Sequence, residues 1–145
     1  MPGEIEIEIL GAREILRAFR ELPKEASDQL REESGQIARK LADDIEAAAR
    51  AEGRQAALMA ATVKVRRDRV PVVQAGGAKR VGRNRVPAAD LLYASEFGSN
   101  LRQFRPHLKG DSYWFYDTVE RQDSAILAQW LEAVDAILNA FERAV

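Results

Sequence analysis

The sequence predicts an α+β fold: a small antiparallel or mixed β-sheet packed against two long α-helices, with a long basic loop. Three observations carry that prediction. Glu and Ile alternate with a period of two from Glu4 to Ile9, which gives a strand one polar and one apolar face. Apolar residues recur at helical spacing over 24–52, and again from about Tyr113 to the end. Between the two helical stretches, β-branched residues cluster at Thr62, Val63, Val65, Val70, Val72 and Val73. A sheet covered on one face by two helices is the simplest layered arrangement that buries both apolar stripes.

Each element follows from a local pattern. The first strand ends before Gly11, after which Ile15, Leu16, Phe19 and Leu22 describe a short helix stopped by Pro23. Pro23 is tolerated in the first turn of the next helix, where its missing N–H has no acceptor to lose. That long helix buries Ala26, Leu30, Ile37, Leu41, Ile45 and Ala48, with Ser34 filling a gap in the stripe, and Gly53 caps its end. Residues 58–73 read as two strands, or a strand and an arm, interrupted by Arg66-Arg67-Asp68-Arg69. Residues 74–90, with three glycines, a proline and four basic residues, read as a flexible loop. Leu91 to Phe97 reads as a short strand ending at Gly98, with helix left open as the alternative for 88–96. A turn-rich connection from Ser99 to Gly110 leads into the last helix, which Asp111 or Asp117 is placed to cap.

One chain of 145 residues supports one hydrophobic core, so residues 1–145 are expected to form a single domain. There is no cysteine, which removes disulfides, thiolate nucleophiles and cysteine-type zinc sites and points to an intracellular birthplace. No basic n-region with an apolar h-region opens the chain, and no run approaches the ~18 apolar residues of a membrane span, so neither secretion nor a membrane partner is expected. The net charge of −1 conceals a segregation. Residues 1–52 carry eight Lys/Arg against thirteen Asp/Glu, residues 53–110 twelve against three, and residues 111–145 two against seven. An acidic–basic–acidic chain can pair with copies of itself or with an anionic partner, although solvated loops and helix faces produce the same segregation.

The search for chemistry finds little. His107 stands among Arg105, Pro106 and Lys109, poor company for a metal ligand or an oriented base. Ala75-Gly76-Gly77-Ala78 lacks the Lys-Ser/Thr pair of a phosphate-binding loop, and Asp43-Asp44 sit on a charged helix face. No enzyme and no cofactor is therefore expected. One constellation remains: Lys64, Arg66, Arg67, Arg69, Lys79, Arg80, Arg83 and Arg85, with Asp68 as their one acidic neighbour. This basic arm suits contact with another subunit or with DNA phosphates. It has no aromatic residues for stacking bases and no helix-turn-helix signature.

Tyr93-Ala94-Ser95-Glu96-Phe97-Gly98-Ser99, then Phe104-Arg105-Pro106, then Tyr113-Trp114-Phe115-Tyr116 opening a long final helix, resemble the C-terminal half of tailed-bacteriophage neck and tail-completion proteins of the HK97 gp10-like family, the head-tail connector group. In that family a strand ending in a Glu-Phe-Gly turn precedes a Pro-Phe-like segment and a C-terminal helix. This chain departs from the commoner pattern in having Asp117 where a proline often opens the helix, and in the order Phe104-Arg105-Pro106. The resemblance implies a structural virion protein, made in the host cytoplasm, that forms a ring of six or twelve copies at the head-to-tail junction. Its neighbours there would be portal-side connector and tail-tube proteins, with DNA passing through the lumen. In the turn motif, Gly98 suits a sharp reversal, Phe97 a core anchor, and Glu96 pairing with a cation, one on a neighbouring copy included, while an ordinary strand-turn accounts for all three. The acidic strand, Glu4, Glu6 and Glu8, meeting the basic arm of the next copy is the expected ring contact. A nucleic-acid-binding accessory protein and a small ribonuclease-type toxin are the competing classes.

Overall fold

A computed structural model describes residues 4–18 and 22–143. The fold is α+β: the described residues form five α-helices, a three-stranded antiparallel sheet and a separate two-stranded hairpin. The alternating start forms β1 (Glu4–Glu8), with Ile5 and Ile9 buried and Glu6 and Glu8 turned to solvent. Gly11, at φ 90°, turns the chain into α1 (Ala12–Ala18), which buries Ala12 and Leu16. Phe19, placed by its spacing in the same helix, lies outside the described residues.

Pro23 then precedes α2 (Lys24–Glu52), whose buried side chains form two rows. Leu30, Ile37, Leu41 and Ile45 are the large row, and Ser27, Ser34, Ala38, Ala42 and Ala49 the small one. Two rows follow from two neighbours, since α2 packs against the strands and also along the final helix. Small side chains let two backbones approach closely. Gly53 ends α2, as expected.

Three stretches depart from the sequence reading. Strand was expected from Leu58, but residues 54–62 form α3 (Arg54–Met59) and a single 3₁₀ turn (Ala60–Thr62). The run Gln55-Ala56-Ala57-Leu58-Met59-Ala60-Ala61 consists of strong helix formers, which outweigh the β-branched residues that follow. Strand geometry begins only at β2 (Lys64–Val65) and resumes at β3 (Val72–Gly76). Secondly, 74–90 is not one loop. β3 runs on to Gly76, and β4 (Arg80–Val81) pairs with β5 (Val86–Pro87) across a turn in which Gly82 and Arg85 have positive φ. Val81, buried against the core, holds this hairpin down. Thirdly, the strand expected at 91–97 is a helix, α4 (Ala88–Phe97). Ala88, Leu92, Ser95 and Glu96 are its buried positions, a helical and not an alternating set.

The sheet order is β1-β3-β2, antiparallel throughout, with Ile5 opposite Ala75, Ile7 opposite Val73 and Lys64 opposite Gln74. Ile9 N–H donates to Pro71 O (3.2 Å) and Arg66 N–H to Val72 O (3.2 Å). Those two bonds fix the pairing phase: β3 offers its odd residues to β1 and its even residues to β2. The backbone groups of Glu4, Glu6 and Glu8 therefore point outward, along the free edge of β1. The last helix, α5 (Phe115–Arg143), lies along α2 and buries Phe115, Val119, Ile126, Trp130, Val134 and Ile137. Trp130 Nε1 donates to Arg69 O (2.9 Å) and to Ser34 Oγ (3.1 Å), and Ser34 Oγ itself donates to Arg69 O (2.8 Å). Helix, helix and inter-strand loop are thus joined by one satisfied polar knot.

Candidate functional site

The turn motif closes around Glu96. Its carboxylate is fully buried at the end of α4, where Oε1 accepts from Trp114 N–H (3.0 Å) and Phe115 N–H (2.9 Å), and Oε2 from Tyr116 N–H (2.8 Å). Tyr113 N–H donates to the Glu96 carbonyl (2.7 Å). The first N–H groups of a helix have no intrahelical acceptor, so this carboxylate caps α5 from another element. The expected cap, Asp111 or Asp117, does not do this; Asp117 N–H is instead accepted by Ser112 Oγ (2.7 Å). Nor is Glu96 available to a cation on another copy. Burial raises its carboxyl pKa above the usual range, opposed by the three N–H donors and reinforced by the nearby charge of Asp117.

Gly98 is required twice over. Its φ is +89°, and a Cβ there would lie 2.6 Å from His107 Cα and closer still to Pro106 O. Residues 99–108 fold back across it: Leu108 N–H donates to Phe97 O (2.8 Å), Ser99 N–H to Arg105 O (2.9 Å) and Tyr113 Oη–H to Pro106 O (2.6 Å). Phe97 is half-buried, stacked with Tyr93 on one side and Tyr116 on the other, so it anchors the turn in an aromatic row at the surface and not deep in the core. Phe104 sits in the notch where α2 meets α3. Arg105 clamps Glu52 through Nη1 (2.7 and 2.8 Å) and lies 4.5 Å over the Tyr113 ring. All five motif residues therefore belong to one device that joins α4 to α5. His107, exposed with Nδ1 3.1 Å from Phe97 O, is part of the same turn.

The basic arm is divided by the fold. Its first half lies on the outer face of the sheet, where Arg66 pairs with Glu6 and with Asp68 (3.0 Å), and Lys64 with Glu4 (3.8 Å). Glu8 and Asp68 share Arg13 (2.7 and 3.0 Å). The Arg13 and Arg66 guanidiniums and the Arg69 N–H, working against partial burial, hold the Asp68 carboxyl down at about 2. Glu4, Glu6 and Glu8, expected to meet another copy, thus have partners within their own chain. Arg67 is exposed, and Arg69 enters the core through its carbonyl. The second half, Lys79, Arg80, Arg83 and Arg85, is exposed on the β4–β5 hairpin, and among the described residues no carboxylate lies within ion-pair distance of it.

A cleft of about 530 Å³ opens beside the glycine pair and is lined by Glu4, Thr62, Lys64, Gly77 and Lys79. Gly76 N–H is already accepted by Thr62 Oγ1 (2.9 Å), so the glycines make a turn into the hairpin and one N–H of any phosphate cradle is taken. Among the described residues there is no cluster of His, Asp or Glu that could hold a metal ion, and no helix long and apolar enough to cross a membrane. Sequence reasoning missed Arg54, which the fold brings to the hairpin; it stands alone in the sequence, and no local signal marks it. No family model, no curated protein and no solved structure matches the chain.

Proposed function

We propose that the protein is a structural component of the tailed-phage virion that forms a ring at the head-to-tail junction, completing the tail and joining it to the head. The reading rests on the resemblance of Tyr93–Ser99, Phe104–Pro106 and Tyr113–Tyr116 to neck and tail-completion proteins. One observation supports it: the residues that carry the resemblance pack into one capped turn, with Glu96, Gly98 and Pro106 each placed by hydrogen bonds or close contact. Such a device shapes a framework, and its exposed histidine, His107, is held to the turn through Nδ1 at Phe97 O.

The open edge of β1 is the seam proposed between copies, since the outward N–H and C=O groups of Glu4, Glu6 and Glu8 have no backbone partner among the described residues. A second strand laid there pairs backbone with backbone, leaving the Glu–Lys64 and Glu–Arg66 pairs on the face undisturbed. Charge reversal at Arg66 is a poor test of the ring, because it would break pairs inside the subunit. Electron microscopy of lysates from phage carrying a nonsense codon in this gene is the test. Separate filled heads and tails, or tails of abnormal length, are expected; intact infectious particles would refute the assignment.

A further inference from the structure

The hairpin half of the basic arm stands apart from the rest of the surface. Lys79, Arg80, Arg83 and Arg85 are all exposed, and the neighbouring contacts of two of them are carbonyls: Lys79 Nζ donates to Ala61 O (3.2 Å) and Arg80 Nη1 to Arg85 O (2.8 Å). Between the hairpin and α3 lies a cleft of about 380 Å³ lined by Arg54, Gln55, Arg83, Asn84 and Gln103 over a part-buried floor that includes Leu58, Val86 and Leu91, and no carboxylate lines it. On the sheet face and the helices, Lys64, Arg66, Arg13, Arg39 and Arg105 are paired with Glu or Asp, and exposed cations such as Lys40, Arg67 and Lys109 stand scattered along the sequence. Five cations left together on one hairpin and one helix start create a focused positive potential on a chain of net charge −1.

The composition of this surface selects the partner. Protein interfaces draw their energy from buried aromatic and aliphatic anchors, and their centres are depleted in charge. The hairpin tip, Gly82-Arg83-Asn84-Arg85, is fully exposed and offers no such anchor, since Val81 points into the core. Arginine, lysine, side-chain amides and backbone N–H groups are instead the donors that hold phosphate and sugar oxygens. No aromatic side chain lines the cleft, so bases cannot be stacked and a duplex is favoured over a single strand. We infer that the β4–β5 hairpin, with Arg54, binds the phosphate backbone of duplex DNA without sequence preference, while Lys64 and Arg66 take no part. The inference does not depend on the ring, because every residue in it belongs to one subunit.

Fluorescence anisotropy of labelled duplexes of unrelated sequence, titrated with the purified full chain, tests it. With four or five phosphate contacts, affinity should fall roughly 100-fold or more between about 50 and 200 mM salt. Arg80→Glu/Arg83→Glu/Arg85→Glu should lose binding at least about 30-fold and flatten the salt dependence, and Lys64→Gln should stay within about twofold of the parent. Arg83→Glu alone, at an exposed tip, is the companion variant if the triple one fails to fold; it should weaken binding several-fold. Duplex binding unaffected by Arg83→Glu, tighter binding of single strands than of duplex, or capture of polyglutamate in preference to DNA would each overturn the inference, the last in favour of an acidic protein face.

Discussion

At the scale of single residues, the fold depends on polar groups buried with all their partners. Glu96 satisfies three N–H groups of a helix it does not belong to. Removing one partner of such a set leaves buried donors without acceptors, which costs far more than the set contributes net. Glu96→Ala is therefore expected to lower stability by about 3 kcal/mol or more, read as a shift in the urea midpoint at unchanged slope. An unchanged midpoint would show that the α5 N-terminus finds another cap. Gly98→Ala meets the backbone of Pro106 and His107 and an unfavourable φ together, for an expected loss of about 3 kcal/mol. In the polar knot, Trp130→Phe removes the indole N–H, leaves Arg69 O to Ser34 alone and opens a void at a fully buried position, and should cost about 2–4 kcal/mol in the same measurement.

At the scale of elements, two joints are testable. The first is the meeting of β1, α1 and the β2–β3 connection at Asp68, whose carboxyl is held at about 2 by Arg13 and Arg66. A folded-state pKa below the unfolded one gives stability that is present above the unfolded value of 3.8 and lost as pH falls toward the folded value. The parent should thus lose about 2 kcal/mol from this group between pH ~4 and ~2. Asp68→Asn should be less stable at neutral pH and lose less on acidification, which urea melts at the two pH values will show. Glu96 has the opposite sign, since its raised pKa makes its contribution largest in acid and smaller as pH rises through its folded value. The second joint is the pairing phase of β1. Ile7→Pro removes an N–H that bonds to β3 and should cost at least about 3 kcal/mol, whereas Glu6→Pro removes an outward N–H and should leave a folded subunit, with Glu6→Ala, which loses the same Arg66 and Gln74 contacts but keeps the N–H, as its control. If copies join along that edge, the Glu6→Pro subunit should fail to assemble, and rings formed by it would take β1 out of the seam.

At the scale of the whole molecule, the division of charge is the main consequence of folding. In the folded acidic–basic–acidic chain the sheet face pairs its charges internally, while four cations without an ion pair gather on the hairpin. The proposed ring contact and the proposed DNA contact lie on different surfaces, the β1 edge and the β4–β5 hairpin. Variants at Glu6 and at Arg83 should accordingly separate the two properties: assembly lost with DNA binding retained in the first, the reverse in the second. Sedimentation velocity and the anisotropy titration, run on both proteins, check this directly.

How much of this was legible in the sequence depends on the range over which each feature is decided. Alternation at residues 4–9 and the apolar stripes of α2 and α5 are local, repeated signals, and they determined the α+β class, the two long helices and the first strand. Local pattern could not separate strand from helix at 88–97, where a short apolar run fits either period until packing selects the buried face. It placed strand too early at Leu58 because alanine-rich helix and β-branched strand adjoin without punctuation. The motif residues were found, but Glu96 was offered to a cation because the donors it accepts from, the N–H groups of Trp114 to Tyr116, lie eighteen to twenty positions away. The partition of the basic arm was equally out of reach, since Glu6 and Arg66 stand sixty positions apart and only the β1-β3-β2 order brings them together. Composition and periodicity determined what the long helices and the first strand are and how charge is distributed along the chain; tertiary structure alone decided which distant charges neutralise one another, because electrostatic and hydrogen-bond energies depend on distance in space and not on separation in sequence.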